Sequence, residues 1–139
     1  MKLISFILIL LFPIISQGQT VKSFKQVKNK IDVTLAGGIL SIYPLTDNAV
    51  RIKFYKSVEA QVPELIFISN SSTPPFKIND SPSMLELKGK RIIVDVDKQS
   101  GKLSFADNTG KIFLSENAGT RKLIPDSVMG EPCFFTELS

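Results

Sequence analysis

The stretch Val94–Lys111 runs V-D-V-D-K-Q-S-G-K-L-S-F-A-D-N-T-G-K. Val94, Val96, Leu103 and Phe105 alternate with polar residues, the period-two pattern of strands buried on one face. Asp97–Gly101 and Asp107–Gly110 supply turn chemistry, each ending on a glycine placed to take a positive φ. The stretch is therefore two β-hairpins in series, three short strands joined by tight turns.

The same reading extends outward. Phe24–Ala36 is one or two strands, with Ile31, Val33 and Leu35 on one face. Gly37-Gly38 is a turn, Ile39–Pro44 a strand and Leu45–Asn48 a second turn. Ala49–Tyr55 points Val50, Ile52 and Phe54 one way and Arg51, Lys53 and Tyr55 the other. Glu64–Ser69 is a further strand, and Asn70–Pro82, rich in Ser, Thr, Pro and Asn, a loop. Met84–Lys88 and Arg91–Asp97 form a hairpin across Gly89-Lys90. Lys111–Glu116 continues the meander, Asn117–Pro132 is loop-like, and Cys133–Ser139 is a last apolar strand. Many short strands with frequent turns and no helical period predict an all-β, antiparallel β-sandwich. Because the sequence closes on an apolar strand, the sandwich is expected to be incomplete at its C-terminus, with an open edge there.

The first eighteen residues stand apart. Met1-Lys2 is basic, Leu3–Ile15 is apolar apart from Ser5 and Pro13, and Ser16-Gln17-Gly18 places small residues where a signal peptidase reads them. The run falls short of the ~20 residues a membrane-spanning helix needs. Residues 1–18 are therefore read as a signal peptide cut before Gln19, with no stable membrane anchor, and residues 19–139 as the β-sandwich. Export to the periplasm or the extracellular space follows. Without Lys2 the basic residues number 16 against 13 acids, a mild excess. Lys22, Lys25, Lys28 and Lys30 read as a solvated segment ahead of the first strand. No aromatic platform interleaves them, so no nucleic-acid partner is expected.

The chain has a single cysteine, Cys133, and no histidine or tryptophan. Internal disulfides, Ser-His-Asp triads and Cys/His zinc sites are thereby excluded. Cys133, beside Phe134-Phe135, reads as a buried structural thiol. Asp95 and Asp97 stand roughly 7 Å apart on one strand face at ~3.4 Å per residue, a spacing that suits an inverting glycosidase. Neighbours on one strand project in parallel, however, and cannot flank a scissile bond, so both read as solvated or turn-forming. A calcium loop counted from Asp95 puts Gly101 seventh and Ala106 twelfth, which fails the required pattern. Gly37-Gly38 does not extend to a phosphate loop. Asn70-Ser71-Ser72 and Asn79-Asp80-Ser81 have the form of glycosylation sequons. No catalytic, cofactor-binding or metal-ligating residue is assigned, the substrate-binding residues are left open, and no cofactor is expected.

Two segments carry a resemblance: Gly38–Phe54 (G-I-L-S-I-Y-P-L-T-D-N-A-V-R-I-K-F) and Leu85–Lys111. Over roughly Lys30–Ser139 the chain resembles the N-terminal, galactose-mutarotase-like β-sandwich of glycoside hydrolase family 31, the α-glucosidases and α-xylosidases. The resemblance implies a sandwich packed on a catalytic (β/α)8 barrel, able to lend a loop to the rim of the sugar pocket. It also implies α-glycoside substrates and a retaining mechanism whose nucleophile and acid/base aspartates lie on the barrel. No position here matches either barrel motif, so the barrel is a partner missing from this chain, and the chain is expected to be inactive alone. Carbohydrate is the other candidate partner. The alternative is a stand-alone secreted carbohydrate-binding or adhesive module, for which Tyr43 and Tyr55 are the obvious outward rings. An independent enzyme ranks third.

Overall fold

The computed structural model describes residues 19–59, 73–117, 119, 121 and 123–135. The leader, the Glu64–Ser69 strand, the Asn70 sequon and residues 136–139 lie outside the described residues. Two antiparallel meanders make the body. β1 (Val21–Val27), β2 (Lys30–Leu35), β3 (Ile39–Thr46) and β4 (Ala49–Tyr55) form a four-stranded sheet in chain order. β5 (Lys77–Asp80), β6 (Met84–Lys88), β7 (Ile92–Asp97), β8 (Leu103–Asp107) and β9 (Ile112–Ser115) form a five-stranded sheet, also in chain order. A separate hairpin follows, β10 (Ile124–Val128) and β11 (Glu131–Phe135).

One core joins the two larger sheets. Ile31, Val33, Leu35, Leu40 and Ile42 from the first cluster with Leu85, Leu87, Val94, Val96 and Leu103 from the second, all buried. Each set occupies alternate positions, so each sheet turns one apolar face inward and the pair packs as a sandwich. The turns of the opening motif are built as their chemistry requires. The Asp97 Oδ1 accepts from Ser100 N at 2.7 Å and Ser100 Oγ at 2.6 Å. The Asp107 Oδ1 accepts from Thr109 N at 2.8 Å and Lys111 N at 3.1 Å. Gly101 and Gly110 take φ of 69° and 87°.

The sheets are also tied at one end. Val21 N donates to Lys98 O at 2.9 Å and Thr20 Oγ1 to Gln99 O at 3.2 Å, so the start of β1 is fastened to the β7–β8 turn. At the same turn Arg121 donates to Gly101 O, pairs with Glu116 at 2.8 Å and lies 5.7 Å from the centre of the Phe54 ring. The Arg121 Nη1 is buried without a partner.

Several sequence expectations need correction. Lys77–Asp80, inside the expected loop Asn70–Pro82, is β5 and pairs with β6. Asn117–Pro132 contains β10 and the start of β11, joined by a turn in which Met129 and Gly130 both have positive φ. The last described strand pairs along its length with β10, from Ile124↔Phe135 to Val128↔Glu131, in a two-stranded sheet, so among the described residues its other side has no strand partner. Cys133 sits on this hairpin opposite Asp126 and is half-buried rather than fully buried. Lys22 and Lys25 lie on β1 itself rather than ahead of it, and Lys30 is drawn into an ion network described below.

Among the described residues β9 is a second, strongly apolar edge. Ile112, Phe113 and Leu114 are 58–60% exposed, whereas the opposite edge of the same sheet, β5, reads Lys-Ile-Asn-Asp. Charged edges resist edge-to-edge pairing and apolar ones invite it. Phe113→Lys is accordingly expected to lower concentration-dependent self-association, read by light scattering. Its stability should stay within ~0.5 kcal/mol of the parent, as for most surface changes.

Candidate functional site

The densest polar arrangement lies on the outer face of the four-stranded sheet. Alternation puts Lys30 and Asp32 of β2, Ser41 and Tyr43 of β3, and Lys53 and Tyr55 of β4 on that face. Register then brings them together: Asp32 is opposite Ser41, and Ser41 opposite Lys53. Ser41 is fully buried and Asp32 nearly so, at 7% exposure. The Ser41 hydroxyl donates to Asp32 and accepts from Lys30 Nζ at 3.3 Å, with the Tyr55 hydroxyl 3.1 Å away. Lys30 Nζ also reaches Asp32 at 3.0 Å and Glu59 at 3.3 Å.

Glu59, just beyond β4, ties the cluster together. It accepts from Tyr43 OH at 2.8 Å and Lys53 Nζ at 2.6 Å. The hydrogen bond from Lys53 leads the forces that pull its carboxyl down to about 2, with Tyr43 and Lys30 adding to it against burial. Burial alone would lower Lys30, but its bonds to Asp32, Tyr43 and Glu59 outweigh that and hold the ammonium above its usual range. Burial likewise raises Tyr43. Lys30 Nζ and Lys53 Nζ lie 5.1 and 5.5 Å from the centre of the Tyr43 ring, within cation–π range.

The chemistry open to this cluster is narrow. A serine beside a lysine is the starting point of a Ser–Lys dyad, but a general base must be able to lose its proton near neutral pH. Lys30 is held charged, and Ser41 has no exposure through which a substrate could reach it. The arrangement instead fastens the chain after β4 onto the sheet. Glu59 ionises more readily folded than unfolded, so its stabilisation is complete above its ordinary value of 4.5 and lost as pH falls towards about 2. Glu59→Gln is expected to flatten the loss of stability across that window, measured by denaturant unfolding at stepped pH.

The two aspartates weighed in the sequence do not act together. Asp97 closes the β7–β8 turn, and its bond from the Ser100 hydroxyl leads in holding its carboxyl below the usual range. Asp95 faces Glu86 across the β6–β7 pair, and burial, then the Glu86 charge, pushes its carboxyl up. A raised carboxylate beside a second carboxylate is a feature of glycosidase sites. Here both project in parallel from one sheet face as cross-strand partners, so they cannot flank a scissile bond from opposite sides. The pair is a like-charge cross-strand contact. Asp95→Asn is expected to stabilise the fold by ~0.5 kcal/mol at neutral pH, and the gain should fade as acid protonates Asp95 in the parent. Thermal unfolding at two pH values checks this.

Among the other candidates, Asn79 donates its side-chain amide to Glu86. Tyr43 and Tyr55 face outward as expected, but Tyr43 is engaged by the two lysines and Tyr55 by Ser41. No group of three or more His, Cys, Asp or Glu side chains placed to hold a metal occurs among the described residues. A small pocket of about 10 Å³, room for one water, lies between the β3–β4 and β6–β7 turns, lined by Pro44, Val50, Phe76 and Leu87, with the Lys90–Asp47 ion pair beside it. The outer-face cluster was not singled out in the sequence. Its signal was there as polar residues at every second position of three successive strands, Lys-x-Asp, Ser-x-Tyr and Lys-x-Tyr.

No protein-family model matches the chain, and no curated protein matches it. Among solved structures, a GH31 α-xylosidase from Xanthomonas citri superposes with a TM-score of 0.71 at 21% identity. The likeness takes in 81% of this chain and 13% of that one, so the chain spans a small part of the enzyme it matches. The chain thus has the fold of a β-sandwich carried within a family 31 glycoside hydrolase, the family its sequence resembles.

Proposed function

We propose that this chain is a non-catalytic β-sandwich of an exported α-glycoside hydrolase, supporting a (β/α)8 catalytic barrel and shaping the rim of its sugar pocket. The observation that carries the reading is the fold likeness to a small part of a GH31 α-xylosidase. A domain in such a place needs a stable body and no reacting groups of its own. The outer-face cluster agrees with that role, because its serine is buried and its lysine held charged. The engaged Tyr43 ring weighs against a sugar-stacking platform.

The test is to titrate the isolated chain with methyl α-xyloside and methyl α-glucoside by calorimetry and to assay the matching nitrophenyl glycosides. The expected result is no saturable heat and no turnover. Saturable binding would support a stand-alone carbohydrate-binding module instead, and turnover would overturn the non-catalytic role.

A further inference from the structure

The hairpin of β10 and β11 turns on Met129 and Gly130, which take φ of 53° and 85°. A two-residue turn with both φ values positive favours Asn-Gly, because a longer side chain at the first position crowds its own backbone. Packing does not account for the methionine either. Met129 is 100% exposed, Val128 beside it is 60% exposed, and a Cβ on Gly130 would meet nothing within 4 Å. Neither backbone preference nor burial explains the residue, and what remains is the chemistry of its thioether. The chain has two other methionines, Met1 in the leader and Met84 at the start of β6. Met84 is half-buried.

We propose that Met129 is a site of reversible oxidation to the sulfoxide by hydrogen peroxide. Susceptibility follows exposure of the sulfur, and this side chain stands clear of the fold. The sulfur lone pair attacks one peroxide oxygen. The S–O bond forms, the O–O bond breaks, and the departing hydroxide takes the proton of the transferred hydroxyl and leaves as water. Sulfur gives up two electrons and the peroxide takes them. A methionine sulfoxide reductase reverses the step, with a dithiol supplying two electrons and the oxygen leaving as water. Two consequences follow from the surroundings. A side chain outside the core loses no packing when it turns polar, so the fold tolerates the change. The Val128–Met129 tip is apolar when reduced and polar when oxidised, so the modification alters the surface the hairpin presents and leaves the body as it was.

The test treats the full chain with hydrogen peroxide under native conditions, samples it over time and reads its tryptic peptides by mass spectrometry. The expected result is a gain of about 16 Da at Met129, roughly tenfold or more faster than at Met84, in line with their exposure. Cys133 lies on the same tryptic peptide as Met129, and fragment ions separate the two sulfurs. In denaturant the two methionine rates should converge. Methionine sulfoxide reductase should remove the added mass, and the midpoint of thermal unfolding should not move. Equal rates at Met129 and Met84 in the native protein would overturn the proposal, as would added oxygen confined to Cys133. A sulfoxide at Met129 that the reductase leaves in place would overturn its reversibility.

Discussion

Lys30→Met is expected to lower the unfolding free energy by about 3 kcal/mol, the order seen when one partner of a buried ion pair is removed. The side chains of Lys30 and Asp32 are only 15% and 10% exposed, and the ammonium is the cation that neutralises Asp32. Without it, the Asp32 carboxylate keeps the Ser41 hydroxyl but no counter-charge, while Glu59 keeps Lys53. The loss should therefore fall mainly on Asp32. The double variant Lys30→Met, Asp32→Leu separates a charge effect from a packing effect. It should recover more than half of the loss, because apolar residues of similar volume substitute well for a buried pair. Denaturant unfolding of the parent, both singles and the double closes the cycle. A double variant as unstable as Lys30→Met would show that the lysine stem, and not its charge, matters.

Gly101→Ala should cost about 3–4 kcal/mol, from left-handed backbone strain of ~1–2 and two lost hydrogen bonds of ~1 each. The new Cβ would meet the carbonyl oxygen of Gln19 at 2.3 Å, a backbone atom that cannot swing aside as a side chain would. Relief requires the start of β1 to lift, which breaks the bonds of Val21 and Thr20 to the β7–β8 turn. Gly110 is the control. It has a φ of 87° and nothing within 4 Å of its would-be Cβ, so Gly110→Ala should show the strain alone. The difference between the two variants in thermal unfolding measures how firmly the N-terminal segment is docked. Equal losses would mean that it is not.

Much of this architecture was legible because burial on one face imposes alternation. Ala49–Tyr55 and Met84–Lys88 were read with the bounds the structure gives β4 and β6, and the Asp97–Gly101 and Asp107–Gly110 turns followed from their own side chains. The misses share a cause. β5 has one apolar residue, Ile78, in a four-residue edge strand, and β10 carries Pro125 and is mostly exposed. Neither buries enough of one face to leave a periodic trace. Both are held by pairing with a neighbour, which register decides and sequence spacing does not show. The outer-face cluster escaped notice for the same reason. Its residues were visible as polar positions, but only the registers Asp32↔Ser41 and Ser41↔Lys53 bring them side by side. Glu59 then reaches back from beyond β4.

The central claim is that this sandwich serves an α-glycoside hydrolase, and the most direct measurement is the nucleotide sequence that follows the Ser139 codon. The expected result is a stretch encoding further strands and then a (β/α)8 barrel with paired aspartates, in or out of frame. An unrelated downstream region would contradict the claim, and the chain would then have to be studied as a secreted module in its own right.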